Sequence, residues 1–110
     1  MTVDHEPVVE PTYHAVWPKS SQGVASQRTA DRLDSLAGKR VAFVWDWLFR
    51  GDELFPILER ELRSRFPTIE IVGYEEFGNS HGGDEADFIA RLPDLLAEHR
   101  VDAVVSGMGC

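Results

Sequence analysis

Between Val41 and Ser106 short continuous apolar runs alternate with segments whose apolar residues recur at helical spacing, and this alternation limits the possible folds more than any other property. Val41-Ala42-Phe43-Val44-Trp45 is a short apolar run of β-branched and aromatic residues, as expected of a strand buried on both faces. Leu54, Phe55, Leu58, Leu62 and Phe66 then recur at helical spacing. Either Asp52 or Phe55 is a candidate cap for this helix, and the second choice puts Pro56 at the first helical position, where proline is tolerated. Glu59 with Arg63, and Glu61 with Arg65, stand four apart in the favourable order, and Pro67 ends the segment. Ile69-Glu70-Ile71-Val72 reads as a second strand, closed by Gly73.

A glycine-rich loop, Gly78-Asn79-Ser80-His81-Gly82-Gly83, opens the next helix, with Asp84 as its expected N-cap and Glu85 and Asp87 at the positive end of its dipole. Phe88, Ile89, Leu92, Leu95 and Leu96 form its expected buried stripe. Pro93 falls within the stripe and predicts a kink or a helix in two pieces. Val101-Asp102-Ala103-Val104-Val105 is the third strand, followed by the turn Ser106-Gly107-Met108-Gly109. Strands that alternate with helices imply a parallel sheet. The expected fold class is therefore α/β: a partial three-layer βαβαβ sheet over about 41–46, 69–73 and 102–106 in the order 2-1-3. This is half of a flavodoxin-like or racemase-like domain, preceded by an extended N-terminal arm.

The arm is assigned to residues 1–35 and the incomplete α/β domain to 36–110. Pro7, Pro11 and Pro18 punctuate the lead-in, and Ser20-Ser21-Gln22-Gly23 is a polar link. A short helix over Ser26–Leu36 would place Ala30, Leu33 and Leu36 on one side. Apolar residues make up 43% of the chain and charged residues 27%, and no apolar run is long enough to span a membrane. A formal charge of −8 disfavours nucleic acid and anionic membrane as partners, since both demand a basic surface. A single cysteine excludes an internal disulfide and fits a reducing compartment. The N-terminus lacks the apolar core of a signal peptide. The cytoplasm is the expected location.

Every group with useful chemistry follows the carboxyl end of a strand, where ligands gather in open α/β sheets. Asp46, Arg50, Asp52 and Glu53 come after the first strand; Tyr74, Glu75, Glu76, Asn79 and His81 come after the second; Ser106 to Cys110 come after the third. Asp46 is a candidate base, metal ligand or turn former. Arg50 offers a bidentate fork for a carboxylate or phosphate, and His81 a proton shuttle. Gly107 and Gly109 shape the final loop. A thiol at Cys110, beside glycine amides, is a candidate nucleophile with a lowered pKa. His81 and Cys110 lack partners at ligand spacing, so no metal site is assigned. No Walker loop appears, and no cofactor is expected.

Val9-Glu10-Pro11-Thr12, Leu36-Ala37-Gly38-Lys39-Arg40-Val41-Ala42 and Asp102-Ala103-Val104-Val105-Ser106-Gly107-Met108-Gly109 together resemble the UGSC-like proteins of bacteria and fungi. These carry a Cys/selenocysteine-Gly-Ser-Cys-Thr motif directly after such a strand. The resemblance implies a thiol or selenol oxidoreductase, with a thiol or small molecule as partner and a homo-oligomer left open. Cys110 is then the neighbour of the reactive residue, which the family pattern places next. Selenocysteine is encoded by UGA, so the expectation is an N-terminal fragment ending at an in-frame UGA, with the reactive atoms outside the chain and the fragment itself inactive.

Two other readings stand beside it. The aspartate/glutamate racemase superfamily also sets a cysteine after an early parallel strand and uses two cysteines as opposed acid and base; Cys110 would be the first. Alternatively, the chain is a small acidic α/β interaction module without catalysis.

Overall fold

A computed structural model of the chain describes residues 7–18, 23 and 25–109. The chain divides between Asp31 and Arg32 into two units. Residues 7–18 contain neither helix nor strand. The helix allowed over Ser26–Leu36 does not form. Its intended apolar side has little to pack on, with Ala30 and Leu33 both exposed, and a short helix without tertiary packing is marginal in water.

The second unit is built on β1 (Arg40–Trp45), the central strand. It is followed by α1 (Gly51–Arg65), β2 (Glu70–Val72), a 3-10 turn at Tyr74–Glu76, α2 (Glu85–Glu98) and β3 (Ala103–Gly107). The sheet is three-stranded, wholly parallel, and ordered β2-β1-β3. Arg40 pairs with Glu70 and Ala42 with Val72 on one side; Val41 pairs with Ala103 and Trp45 with Gly107 on the other.

Strand alternation divides the side chains of β1 between two cores. Val41, Phe43 and Trp45 pack with Phe55 and Ile69, flanked by Leu58, Leu62 and Phe66 of the α1 side. Ala42 and Val44 pack with Val72, Phe77 and Phe88, flanked by Leu92, Leu95 and Leu96 of α2. Helices thus cover both faces of the sheet, giving three layers. Leu36 joins the first core and Val101 the second.

Several details depart from the sequence pattern. α1 begins at Gly51, with Arg50 as its N-cap in the left-handed region, so neither Asp52 nor Phe55 caps it. Pro56 lies inside the helix, where it has no N–H to offer the carbonyl of Asp52. Leu54 and Ile89, both expected on buried stripes, are 46% and 57% exposed. Each sits at the edge of a stripe whose centre, Phe55 or Phe88, fills the core. α2 runs through Pro93 as a single element, and Asp84 stands at its N-cap without a side-chain cap bond.

At the amino end of the sheet, Arg40 joins three elements. Its backbone N–H donates to Asp102 Oδ2 at 2.9 Å, its Nε to the His99 carbonyl at 2.6 Å, and its guanidinium to Glu70 Oε2 at 2.8 Å. α2 closes with Val101 N–H bonded to the Leu96 carbonyl and Arg100 N–H to that of Ala97. This double bond pattern is the Schellman closure, here with Arg100 rather than glycine in the left-handed position (φ 54°).

Candidate functional site

At the opposite end, the three strands deliver their carboxyl-terminal loops to one edge. The backbone N–H of Asp46 donates to the Gly107 carbonyl at 3.0 Å, extending the β1–β3 ladder past Trp45. The side chain then turns onto the same loop. Asp46 Oδ1 accepts the amides of Met108 (3.0 Å) and Leu48 (3.2 Å), and Oδ2 accepts that of Gly109 (3.1 Å). Asp46 is only 7% exposed. Burial alone would push its carboxyl up, but the amides of Met108, Leu48 and Gly109 outweigh this and hold it below the usual carboxylate range. A carboxylate so engaged is a weak base at neutral pH. Of the three roles open to Asp46, turn former is the one its bonds describe.

The loop leaving Asp46 is unusually constrained. Trp47, Phe49 and Arg50 all have positive φ (61°, 58° and 59°). For residues with a Cβ the left-handed region costs about 1–2 kcal/mol each, and such outliers cluster at functional sites. The turn is stapled by Trp45, whose Nε1 donates to the Leu48 carbonyl at 2.9 Å. Its indole lies against Gly51, where any Cβ would collide with the ring; hence only glycine fits the start of α1.

On the β2 side, Ser80 N–H donates to the Trp45 carbonyl at 3.3 Å, and Trp45 forms an isolated parallel bridge with Asn79. An aromatic group stands beside these bonds. Trp45 stacks on Trp47 (4.6 Å between centroids) and meets Tyr74 edge-on (4.8 Å), while Tyr74 also approaches Phe55 (5.7 Å). Burial pushes the Tyr74 hydroxyl up, and the carboxylates of Glu75 and Asp52 push it further.

The expected site residues therefore fall into two groups. Asp46, Gly107 and Gly109 meet through hydrogen bonds. Gly109 has φ +87°, a conformation suited to glycine. Arg50 is instead paired with Glu53 at 3.1 Å on an exposed surface. His81 is held through its backbone, its N–H donating to Asn79 Oδ1 at 2.9 Å. Cys110 lies outside the described residues. The amides of Met108 and Gly109, the donors expected to favour a thiolate in this loop, are taken by Asp46. The Trp45–Trp47–Tyr74 group was not singled out from sequence, although the aromatic density of Trp45-Asp46-Trp47-Leu48-Phe49 was a visible signal. Among the described residues no cluster of three or more His, Cys, Asp or Glu side chains has the arrangement to hold a metal ion. No helix among them is long and apolar enough to cross a membrane.

The fold and these loops define an open parallel α/β protein whose strand-end turns are locked to one another by a buried carboxylate. A UGSC family model matches residues 7–110. The chain belongs to the UGSC family. No curated protein and no solved structure matches it.

Proposed function

We propose that this chain is the amino-terminal part of a cytoplasmic thiol or selenol oxidoreductase whose reading frame continues through an in-frame UGA after Cys110. The observation that carries this reading is the Asp46 clamp. A buried anion fixes the amides of Met108 and Gly109 at the carboxyl edge of a parallel sheet, with only Cys110 between them and the position where the family pattern puts its selenocysteine or cysteine. A reactive group needs a rigid support, and the clamp supplies one from β1. Asp46, Gly107 and Gly109 are on this reading positioning residues, and Cys110 adjoins the nucleophile.

The reaction balances as thiol–disulfide exchange. The selenolate or thiolate attacks one sulfur of an oxidised partner and expels the other as thiolate. The resolving thiol of the motif then displaces the bound sulfur as a second thiolate. The partner gains two electrons, and the protein is left with an internal Se–S or S–S bond. Expression of the gene with selenocysteine-insertion machinery, followed by mass spectrometry for selenium, tests the reading. A longer, selenium-containing product that iodoacetamide alkylates well below the ordinary thiol pKa of about 8.5 is expected. No in-frame Gly-Ser-Cys beyond the UGA would overturn it.

A further inference from the structure

β1 is paired on both sides, so β2 and β3 form the two edges of the sheet, and these edges differ. β2 is three residues long and carries the exposed Glu70; short strands and charges are what keep a sheet edge from pairing further. β3 is five residues long, and residues 103–109 include neither a charge nor a proline. Among the described residues no backbone hydrogen bond reaches β3 from the side away from β1.

The direction of the free groups follows from one bond. The Gly107 carbonyl accepts from Asp46, just past β1, and alternate residues of a strand turn their backbone N–H and C=O to the same side. Ala103 and Val105 therefore bond inward with Gly107, while Val104 and Ser106 present both groups outward. The Val104 side chain stands opposite the fully buried Ala42 on the α2 face, yet it is 43% exposed.

This edge is complementary to itself. A two-fold axis through Val105 sets Val104 of one copy opposite Ser106 of the other, and Ser106 opposite Val104. Each is then a hydrogen-bonded antiparallel pair that exchanges both N–H···O bonds, with Val105 facing its own copy between them. No like charges meet along this stretch. We infer that the β3 edge pairs antiparallel with the β3 edge of a second copy, joining two three-stranded sheets across one isologous interface. The outward groups of Val104 and Ser106 take no part in the Asp46 clamp, so the interface does not depend on the redox reading. A charge of −8 on each copy makes the two repel at long range. Salt screens that repulsion, so pairing tightens as ionic strength rises.

Sedimentation of the chain over a range of concentrations, under reducing conditions so that Cys110 forms no crosslink, tests this. A reversible monomer–dimer equilibrium is expected, displaced toward dimer by potassium chloride. In hydrogen exchange, the Val104 and Ser106 amides should gain protection with concentration, while the inward Val105 amide is protected throughout. Ser106→Pro removes an outward donor that the monomer does not use, a position where an edge strand accepts proline. It should keep the monomer's far-ultraviolet circular dichroism and weaken pairing by about tenfold or more. Should that variant fail to fold, Val104→Lys, which adds a charge at an exposed edge position, decides in its place and is expected to weaken pairing likewise. A chain that stays monomeric, a dimer that salt loosens, or pairing unchanged in the folded variant would each overturn the inference. Val104 and Ser106 amides already protected in the monomer would overturn it too, by showing that another segment of the same chain holds this edge.

Discussion

Asp46 accepts the backbone amide of Gly109 at 3.1 Å across a sequence separation of 63 residues. With the Met108 and Leu48 amides on the same carboxylate, this bond welds the end of the central strand to the turn that leaves β3. Replacing Asp46 by Ala leaves three amides without their acceptor, so the melting temperature should fall. Hydrogen exchange should localise the damage, with Met108 and Gly109 losing protection before Val41–Val44. Protection unchanged at both positions would contradict the clamp.

The same carboxylate makes stability depend on pH, with a definite sign. Its pKa is lower in the fold than in the unfolded chain, so its contribution is fully present above the ordinary aspartate value of about 3.9 and is lost as pH falls through the folded pKa. Acid unfolding of Asp46→Asn should therefore be less steep than that of the parent below about pH 4. Parallel acid limbs would exclude this linkage.

Tyr74 gives the opposite sign. Its hydroxyl is held above the usual tyrosine value by burial and by Glu75 and Asp52. The neutral form is favoured by the fold up to about pH 10, and that advantage is lost as pH rises through the folded pKa. An ultraviolet phenolate titration should show a late phase that disappears in Tyr74→Phe.

Gly51→Ala should destabilise by about 1–3 kcal/mol, the usual cost of overpacking, because the added methyl would enter the indole of Trp45. Chemical denaturation measures the loss, and near-ultraviolet circular dichroism should register the displaced tryptophan. A change within error would show that the loop yields easily.

Arg100→Gly should have the opposite effect. Arg100 closes α2 with φ 54°, and relief of the left-handed penalty of about 1–2 kcal/mol is only partly offset by the greater freedom of glycine in the unfolded chain. A gain of up to about 1 kcal/mol is expected in denaturant melts; a loss would mean that the Arg100 side chain contributes more than its backbone costs.

The order of elements and the strand arrangement were legible because each strand is an apolar run too short for a helix, separated by stripes with helical spacing. Val41–Trp45 and Val101–Val105 carry that signal strongly. The start of α1 was not legible. Asp52 is a good local cap, but the chain reverses earlier, in a left-handed Arg50 next to the Gly51 on which Trp45 packs. Leu54 and Ile89 show the limit of the stripe argument: spacing fixes the direction of a side chain but not how far the covering layer extends. The Asp46 clamp lay beyond local pattern altogether, since its acceptor and two of its donors are separated by most of the domain.

That separation sets a schedule for the molecule as it is made. A ribosome adding roughly 5–20 residues per second exposes Asp46 several seconds before it reaches Met108 and Gly109. During that interval β1, α1, β2 and α2 can assemble around a carboxylate with only the Leu48 amide to satisfy it. The edge beside β1 stays open until β3 arrives and Gly107 takes up the backbone of Asp46. Closure of the clamp is thus a late event in the life of the nascent chain, and protection of the Gly109 amide is a marker that both crossovers have found their places.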